Sequence, residues 1–241
     1  MIHRLDIEQL TVRYGRAVAV DGVSVRVPGG AVTCLVGPNG AGKSSIILAA
    51  YGAVGAHGSV ELDGEQIAGT ASVVRARNGL AIVPQGRQLF PRLTVRENLA
   101  VYADMLKLPS AAVDGALDRF PILRERSRRL AGILSGGEQQ MLVVSRALMT
   151  EPRAILLDEI MTGLAPRIVE SLVEVVRDLS ASGIAVLMAE PSIHAVRGVL
   201  DRGYVMIRGR VVDVGEDGGI DLDERYQRAM GVAQRVPADA L

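Results

Sequence analysis

The sequence predicts an α/β fold: a mainly parallel β-sheet between helices, preceded by an antiparallel β-region and interrupted by a helical insertion. Three observations carry this expectation. Short apolar runs at residues 32–36, 81–83, 154–158 and 184–188 alternate with helix-like stretches, as strands buried on both faces do. The first thirty or so residues alternate apolar and polar side chains, the mark of half-buried strands. Residues from about 94 to 130 mix acids and bases and carry prolines at 109 and 121, which reads as several short helices.

Taken in order, residues 4–10 and 23–27 form the alternating strands, and residues 32–36 enter the core sheet. A glycine-rich loop follows, then a helix over 44–51. Residues 60–64 read as a strand with a turn, and 81–83 as a short buried strand. After the helical stretch the core strands resume at 154–158 and 184–188, with a helix over 168–179 between them. Residues 203–209 and 210–213 suggest a closing hairpin, and the polar tail after Gly231 is too short to make a domain. No internal repeat or low-complexity linker breaks the chain.

Composition narrows the function classes. At 241 residues and 49% apolar content the chain can bury a sizeable core, which excludes disorder. The 27 basic and 27 acidic residues balance, so no global field draws in nucleic acid or an anionic membrane. The lone Cys34 sits in an apolar run, where a buried, reduced thiol is expected, and one cysteine makes no disulfide framework. The N-terminus lacks the apolar stretch of a signal peptide. No run of roughly 18 apolar residues could span a bilayer, so any membrane role is borrowed from other subunits.

Residues Gly37-Pro38-Asn39-Gly40-Ala41-Gly42-Lys43-Ser44 fit the phosphate-loop pattern, and they stand between a strand and a helix as that pattern requires. The glycines let the backbone wrap phosphates, Lys43 reaches the β- and γ-oxygens, and Ser44 offers a hydroxyl to Mg²⁺; Ser45 completes the candidate ATP-binding set. Asp158 and Glu159 emerge at the C-terminal end of a buried strand, where ligands of open α/β sheets bind. An acidic pair there is ordinary solvated surface by itself. Beside the phosphate loop, Asp158 becomes a candidate for orienting Mg²⁺ through its water shell, and Glu159 for polarising the attacking water. Gln85 ends another short strand and can place its amide near metal and water, although a lone glutamine is usually surface. Tyr14 is a candidate for stacking on adenine, against the plainer reading of a half-buried strand tyrosine.

A second phosphate cradle lies at Leu134-Ser135-Gly136-Gly137-Glu138-Gln139. A serine and two glycines running into a helix expose N–H groups at its positive end, an arrangement that binds anions. One nucleotide needs one cradle, so a chain with two lends one to a partner.

Tyr14, the glycine loop, Gln85, the Leu-Ser-Gly-Gly-Glu-Gln stretch and Leu-Leu-Asp-Glu, in that order, resemble an ATP-binding-cassette (ABC) nucleotide-binding subunit over nearly the whole chain. The resemblance implies a P-loop NTPase with a RecA-like core. One nucleotide-binding domain would span 1–241, with a helical subdomain at about 93–147 and the β-subdomain plus core at about 1–92 and 148–241. It also implies ATP and Mg²⁺ as ligands and a head-to-tail dimer in which Ser135, Gly136, Gly137 and Gln139 cap the partner's ATP. Ser44, Gln85 and Asp158 would serve the metal, and Glu159 with Gln85 the hydrolysis. Residues 84–95, 120–126 and 130–141, Gly163-Leu-Ala-Pro166 and 201–205 are similar to the LivF-like ATPase subunit of branched-chain amino-acid importers. Those importers join two permease subunits, a second ATPase subunit (like or unlike) and, indirectly, a substrate-binding protein, at the cytoplasmic face of the membrane. The insertion after Gln85 would receive a permease's coupling helix.

Two departures stand out. Pro191 occupies the place where the family usually carries a switch histidine, and proline offers neither a side-chain donor nor an N–H. His194 follows three residues on and reads as a surface or helix-start residue. LivF-like relatives often lack the histidine too. Missing one preorganised donor typically costs about 10²–10³ in rate, which implies a slow site. Ile160, Met161 and Thr162 replace the usual proline and serine of the dimer-contact loop, adding apolar bulk there. Besides the importer motor, two readings stay open: a soluble ABC ATPase acting on nucleic acid or ribosomes, disfavoured by a single cassette and zero net charge, and an assembly subunit that closes on ATP but hardly hydrolyses it.

Overall fold

A computed structural model describes residues 1–193, 196–215 and 220–231; His194 and the tail after Gly231 lie outside them. The chain opens with β1 (Arg4–Tyr14) and β2 (Ala17–Pro28), paired antiparallel. Both run further than the alternation in sequence suggests. The reason is a bulge: Gln9 takes a left-handed φ of 49° and the register slips between Ile7 and Leu10, which resets the in–out pattern. β3 (Val32–Val36) leads through the phosphate loop into α1 (Lys43–Tyr51). β4 (Ala56–Leu62) and β5 (Glu65–Gln66) follow, joined by Asp63 and Gly64. Both turn residues are left-handed, as the right-handed twist of a hairpin demands. Together these strands make a four-stranded antiparallel sheet ordered β2-β1-β4-β5.

Next come α2 (Ser72–Arg77), β6 (Leu80–Val83), α3 (Val95–Leu106), α4 (Ala111–Arg119), α5 (Pro121–Glu125) and α6 (Gly136–Ala147). α3 starts on a capping box in which Thr94 and Glu97 exchange hydrogen bonds, satisfying two orphan N–H groups. Buried Asn98 pins the segment before it, accepting from Phe90 N at 2.8 Å and donating to the Phe90, Leu93 and Thr94 carbonyls. β7 (Ala154–Asp158), α7 (Pro166–Ala181), β8 (Ala185–Glu190), β9 (Arg202–Ile207), β10 (Arg210–Gly215) and α8 (Ile220–Ala229) complete the described chain.

The main sheet has six strands ordered β10-β9-β3-β8-β7-β6. All neighbours except β10 are parallel. The expected closing hairpin is therefore more than a hairpin, since β9 runs beside β3 and extends the core. Gly203 makes this possible: a Cβ there would lie 1.9 Å from Leu222 of α8, so only glycine lets that helix close over the strand.

The six-stranded sheet divides two apolar clusters. Cys34, Val36, Ile155, Leu157, Val186 and Met188 face one, shared with α3–α7, whereas Leu35, Leu156, Leu187 and Ala189 face the other, shared with α1 and the antiparallel sheet. Cys34 is fully buried and reduced, and desolvation pushes its thiol pKa far up. Among the described residues no helix is long and apolar enough to cross a membrane.

Candidate functional site

The phosphate loop is shaped by close backbone approach. A Cβ on Gly37 would stand 2.2 Å from the Met206 carbonyl oxygen, and one on Gly42 2.5 Å from that of Ala19. Gly42 is also the N-cap of α1 with φ 99°, a conformation side chains resist. The glycines thus lay the loop flat on β9 and β2 with its N–H groups at the start of α1. Lys43 is 3% exposed and donates to the Gly37 and Pro38 carbonyls at 2.7 and 3.2 Å. Burial lowers its pKa, against the pull of the Glu159 and Asp158 carboxylates. Tyr14 ends β1 with its ring half exposed and its hydroxyl 3.4 Å from Ser45 Oγ. Its open face lies beside the loop, where a base could stack.

Across from the loop, Ser44 Oγ donates to Asp158 Oδ1 at 3.0 Å. Burial raises the Asp158 pKa to about 6. Among the described residues no cluster of three or more His, Cys, Asp or Glu side chains exists to hold a metal alone. The Ser44–Asp158 pair instead suits a hard cation that keeps waters and takes substrate phosphate oxygens, as Mg²⁺ does. Gln85 donates its amide to Glu159 Oε2 at 2.7 Å, leaving its own oxygen free to accept. Ser44, Gln85, Asp158 and Glu159 therefore line one site with Lys43.

Glu159 itself sits at φ 48°, a left-handed backbone that a non-glycine residue holds only when its surroundings over-determine it. Its N–H donates to the Ala189 carbonyl at 2.9 Å. Two residues on, Met161 N and Thr162 Oγ1 donate to Glu190 Oε1 and Oε2 at 3.3 and 3.4 Å. Glu190, at the end of β8 and 1% exposed, was not singled out from sequence; its position at a buried strand end beside Pro191 was the available signal.

The Ser135 segment is built differently. Ser135 N-caps α6 in a second capping box: Glu138 N donates to its Oγ and Ser135 N donates to Glu138 Oε2 at 2.7 Å. The serine oxygen accepts in that box, and the hydroxyl also bonds to the Glu138 carboxylate. Gln139 donates to the Ala131 carbonyl and accepts from Arg87 Nη1 at 3.1 Å. A Cβ on Gly137 would meet Ile168 of α7 at 2.7 Å. Among the described residues no hydrogen bond joins Ser135, Gly136, Gly137 or Gln139 to the chain's own phosphate loop. The molecule thus carries two glycine-bearing helix starts that, among the described residues, share no hydrogen bond.

The sequence profile of the ABC transporter family matches residues 20–162, more than half of the 241 residues. The chain belongs to the ABC transporter family. This ABC subunit is 40% identical over 211 residues to the high-affinity branched-chain amino acid transport ATP-binding protein BraG of Pseudomonas aeruginosa, covering 86% of this chain and 91% of that protein. It is 33% identical to a probable branched-chain amino acid transport ATP-binding protein LivF of Archaeoglobus fulgidus, with 83% and 87% covered. It is also 32% identical to the lipopolysaccharide export ATP-binding protein LptB of Haemophilus influenzae, with 93% and 95% covered. Among solved structures it superposes on a nucleotide-free ATP-binding cassette of an ABC transporter with TM-score 0.84 and 28% identity, over 96% of this chain and 98% of that one. The ADP conformation of an ATP-binding cassette gives TM-score 0.79 at 28% identity, over 96% of each. The ABC subunit is therefore a nucleotide-binding cassette of a kind that works with membrane permeases, and the family's members are ATP-hydrolysing transporter motors.

The two departures take on a physical form in the ABC cassette. Pro191 directly follows β8 and is half-buried. Ile160 and Met161, read as apolar bulk on a contact loop, are 2% and 3% exposed and belong to the chain's own core. Thr162 and Gly163 form the exposed part of the loop.

Glu190 also makes a pH signature. Burial raises its pKa to about 7, above the ordinary value of 4.5. A raised carboxyl binds more protons folded than unfolded, so stability is highest below about pH 4.5 on this account and falls as pH rises to 7. At 1.36 kcal/mol per unit, the deprotonated form costs about 3 kcal/mol above pH 7. Glu190→Gln should therefore stabilise the nucleotide-free chain by up to about 3 kcal/mol at pH 8 and change it little near pH 4.5. Urea unfolding at the two pH values checks this; an equal shift at both would contradict it.

Proposed function

We propose that this chain is the ATP-binding and hydrolysing motor subunit of a membrane ABC importer for branched-chain or related hydrophobic amino acids. ATP closes a head-to-tail dimer with a like or unlike ATPase subunit, and hydrolysis reopens it. One nucleotide-binding domain spans 1–241, with its helical part at about 93–147. The observation that carries the mechanism is the pair of separate phosphate cradles, one with Lys43, the other with Ser135 and no bond to the first. The likeness to BraG over most of both chains supports the solute class.

In this reading Lys43, Ser44 and the loop N–H groups hold the triphosphate, and Tyr14 holds the base. Mg²⁺, when bound, would neutralise charge on the β- and γ-oxygens, with Ser44, Asp158 and Gln85 arranged around it. Glu159 takes the proton of the attacking water while Gln85 fixes its carboxylate. Ser135, Gly136, Gly137 and Gln139 donate to the ATP on the partner. Pro191 provides no donor, so the chain's own site turns over slowly while its cap serves the partner fully.

The subunit lies peripherally on the cytoplasmic face, docked on two permeases that a substrate-binding protein supplies. A groove of about 280 Å³ lined by Tyr51, Phe90, Val101, Tyr102, Met105 and Arg146 is suited to a permease helix. Phe90, Val101 and Met105 are 49%, 41% and 52% exposed there, and Arg146 lies 5.5 Å over the Tyr102 ring. Reconstitution with the permeases tests the function. Permease-stimulated ATP turnover is expected, and Val101→Asp should abolish the stimulation while leaving turnover of the free chain intact. Turnover indifferent to the permeases would refute the importer reading.

A further inference from the structure

A cleft of about 360 Å³ separates the Gln85 segment from the start of α6 and is lined in part by Gln85, Arg87, Gln139, Glu159 and Thr162. Arg87 reaches into it. Gly86, Arg87 and Gln88 all have left-handed φ, at 84°, 61° and 43°, and Gln88 N donates to the Gly86 carbonyl at 2.7 Å to close the turn. Two successive non-glycine residues in that region are costly, and the turn is fastened from both sides. Arg146 donates to the Gln88 carbonyl at 2.9 Å, and Arg87 Nη1 donates to Gln139 Oε1 at 3.1 Å. The guanidinium then lies beside Gly136: a Cβ there would be 3.0 Å from Nη2.

The charges around this helix start do not cancel locally. Glu138, in its first turn, is held ionised by the Ser135 N–H and pairs with Arg126 at 3.5 Å. Arg87 has Gln139 as its hydrogen-bond partner and, among the described residues, no carboxylate. A half-buried cation with free N–H groups next to an anion-binding helix start is built for a phosphate. We propose that Arg87 is a phosphate-binding residue acting in trans, its guanidinium adding to the Ser135 segment's hold on the ATP seated in the partner subunit. The assignment rests on the capped-dimer reading above. It also gives the turn after Gln85 a second duty, since one strained segment then touches the chain's own Glu159 through Gln85 and the partner's nucleotide through Arg87.

The test uses the full chain in a Glu159→Gln background with ATP and Mg²⁺, measuring ATP-driven self-association by sedimentation and binding of a fluorescent ATP analogue to the monomer. Arg87→Gln should weaken association by about tenfold or more while leaving monomer affinity for the analogue unchanged; Arg87→Lys should recover part of it. Association should also lose salt sensitivity in Arg87→Gln. Gln139→Leu removes a cap donor and breaks the hydrogen bond to Arg87, so Arg87→Gln is also measured in that background, where it should weaken association further. Should it have no added effect there, Arg87 merely orients Gln139 and the assignment is overturned. Gly136→Asp separates the two claims: if it abolishes association and Arg87→Gln does not, the Arg87 role falls and the cap survives. If the Glu159→Gln chain associates on ATP neither with itself nor with the unlike ATPase subunit of its transporter, both fall.

Discussion

Replacing Glu159 by glutamine should lower ATP turnover of the isolated chain by about 10²–10⁴-fold, the usual worth of a general base, with ATP affinity unchanged. The substitution keeps the shape of the side chain and the 2.7 Å contact to Gln85 can re-form with one amide reversed, so the effect isolates the lost proton acceptor. The phosphate loop and Ser44–Asp158 pair are untouched. In a transporter that pairs this chain with an unlike ATPase subunit, most turnover should persist if, as proposed above, Pro191 leaves this chain's own site the slower of the two. Steady-state phosphate release from the free chain and from the assembled transporter reads both. Loss of all turnover in the assembly would remove the asymmetry.

Lys43→Met should reduce ATP affinity by about 10²–10³-fold and leave the fold intact. The methionine stem fills the buried channel that the lysine stem occupies, so packing is conserved. What disappears is an ammonium held between the Gly37 and Pro38 carbonyls at 2.7 and 3.2 Å, already desolvated and therefore a strong partner for phosphate. Two charge-assisted hydrogen bonds at about 1.5–2 kcal/mol each, the lower part of their usual span, give that range. Fluorescent-nucleotide titration with a thermal melt as control decides it. Affinity within threefold of the parent would mean that Lys43 serves the loop and not the nucleotide.

Much of this architecture can be read from the chain alone, for identifiable reasons. β3 and β7 are covered on both faces, which leaves an unbroken apolar run in the sequence. The phosphate loop and the Ser135 helix start are local, so spacing alone reveals them. Contacts that depend on distant partners are silent. Glu190 meets Thr162 across 28 residues and Arg87 meets Gln139 across 52; Arg87 carries no local mark of its role, and Glu190 only its place at a strand end. Ile160 and Met161 mislead for another reason. Composition says that they are apolar, but the left-handed backbone at Glu159 decides that they turn inward. The parallel pairing of β9 with β3 is likewise hidden, because a hairpin signal says nothing about which older strand the pair joins.

The apolar clusters on the two faces of the six-stranded sheet share strands yet meet no common helix layer. Warping these strands would therefore open both apolar layers at once, which makes the sheet the stiff part of the molecule. Asp158 and Glu190, rooted at the ends of neighbouring strands, are held at a spacing that only such warping could change. Any rearrangement that accompanies nucleotide turnover costs least where it leaves this floor as it is.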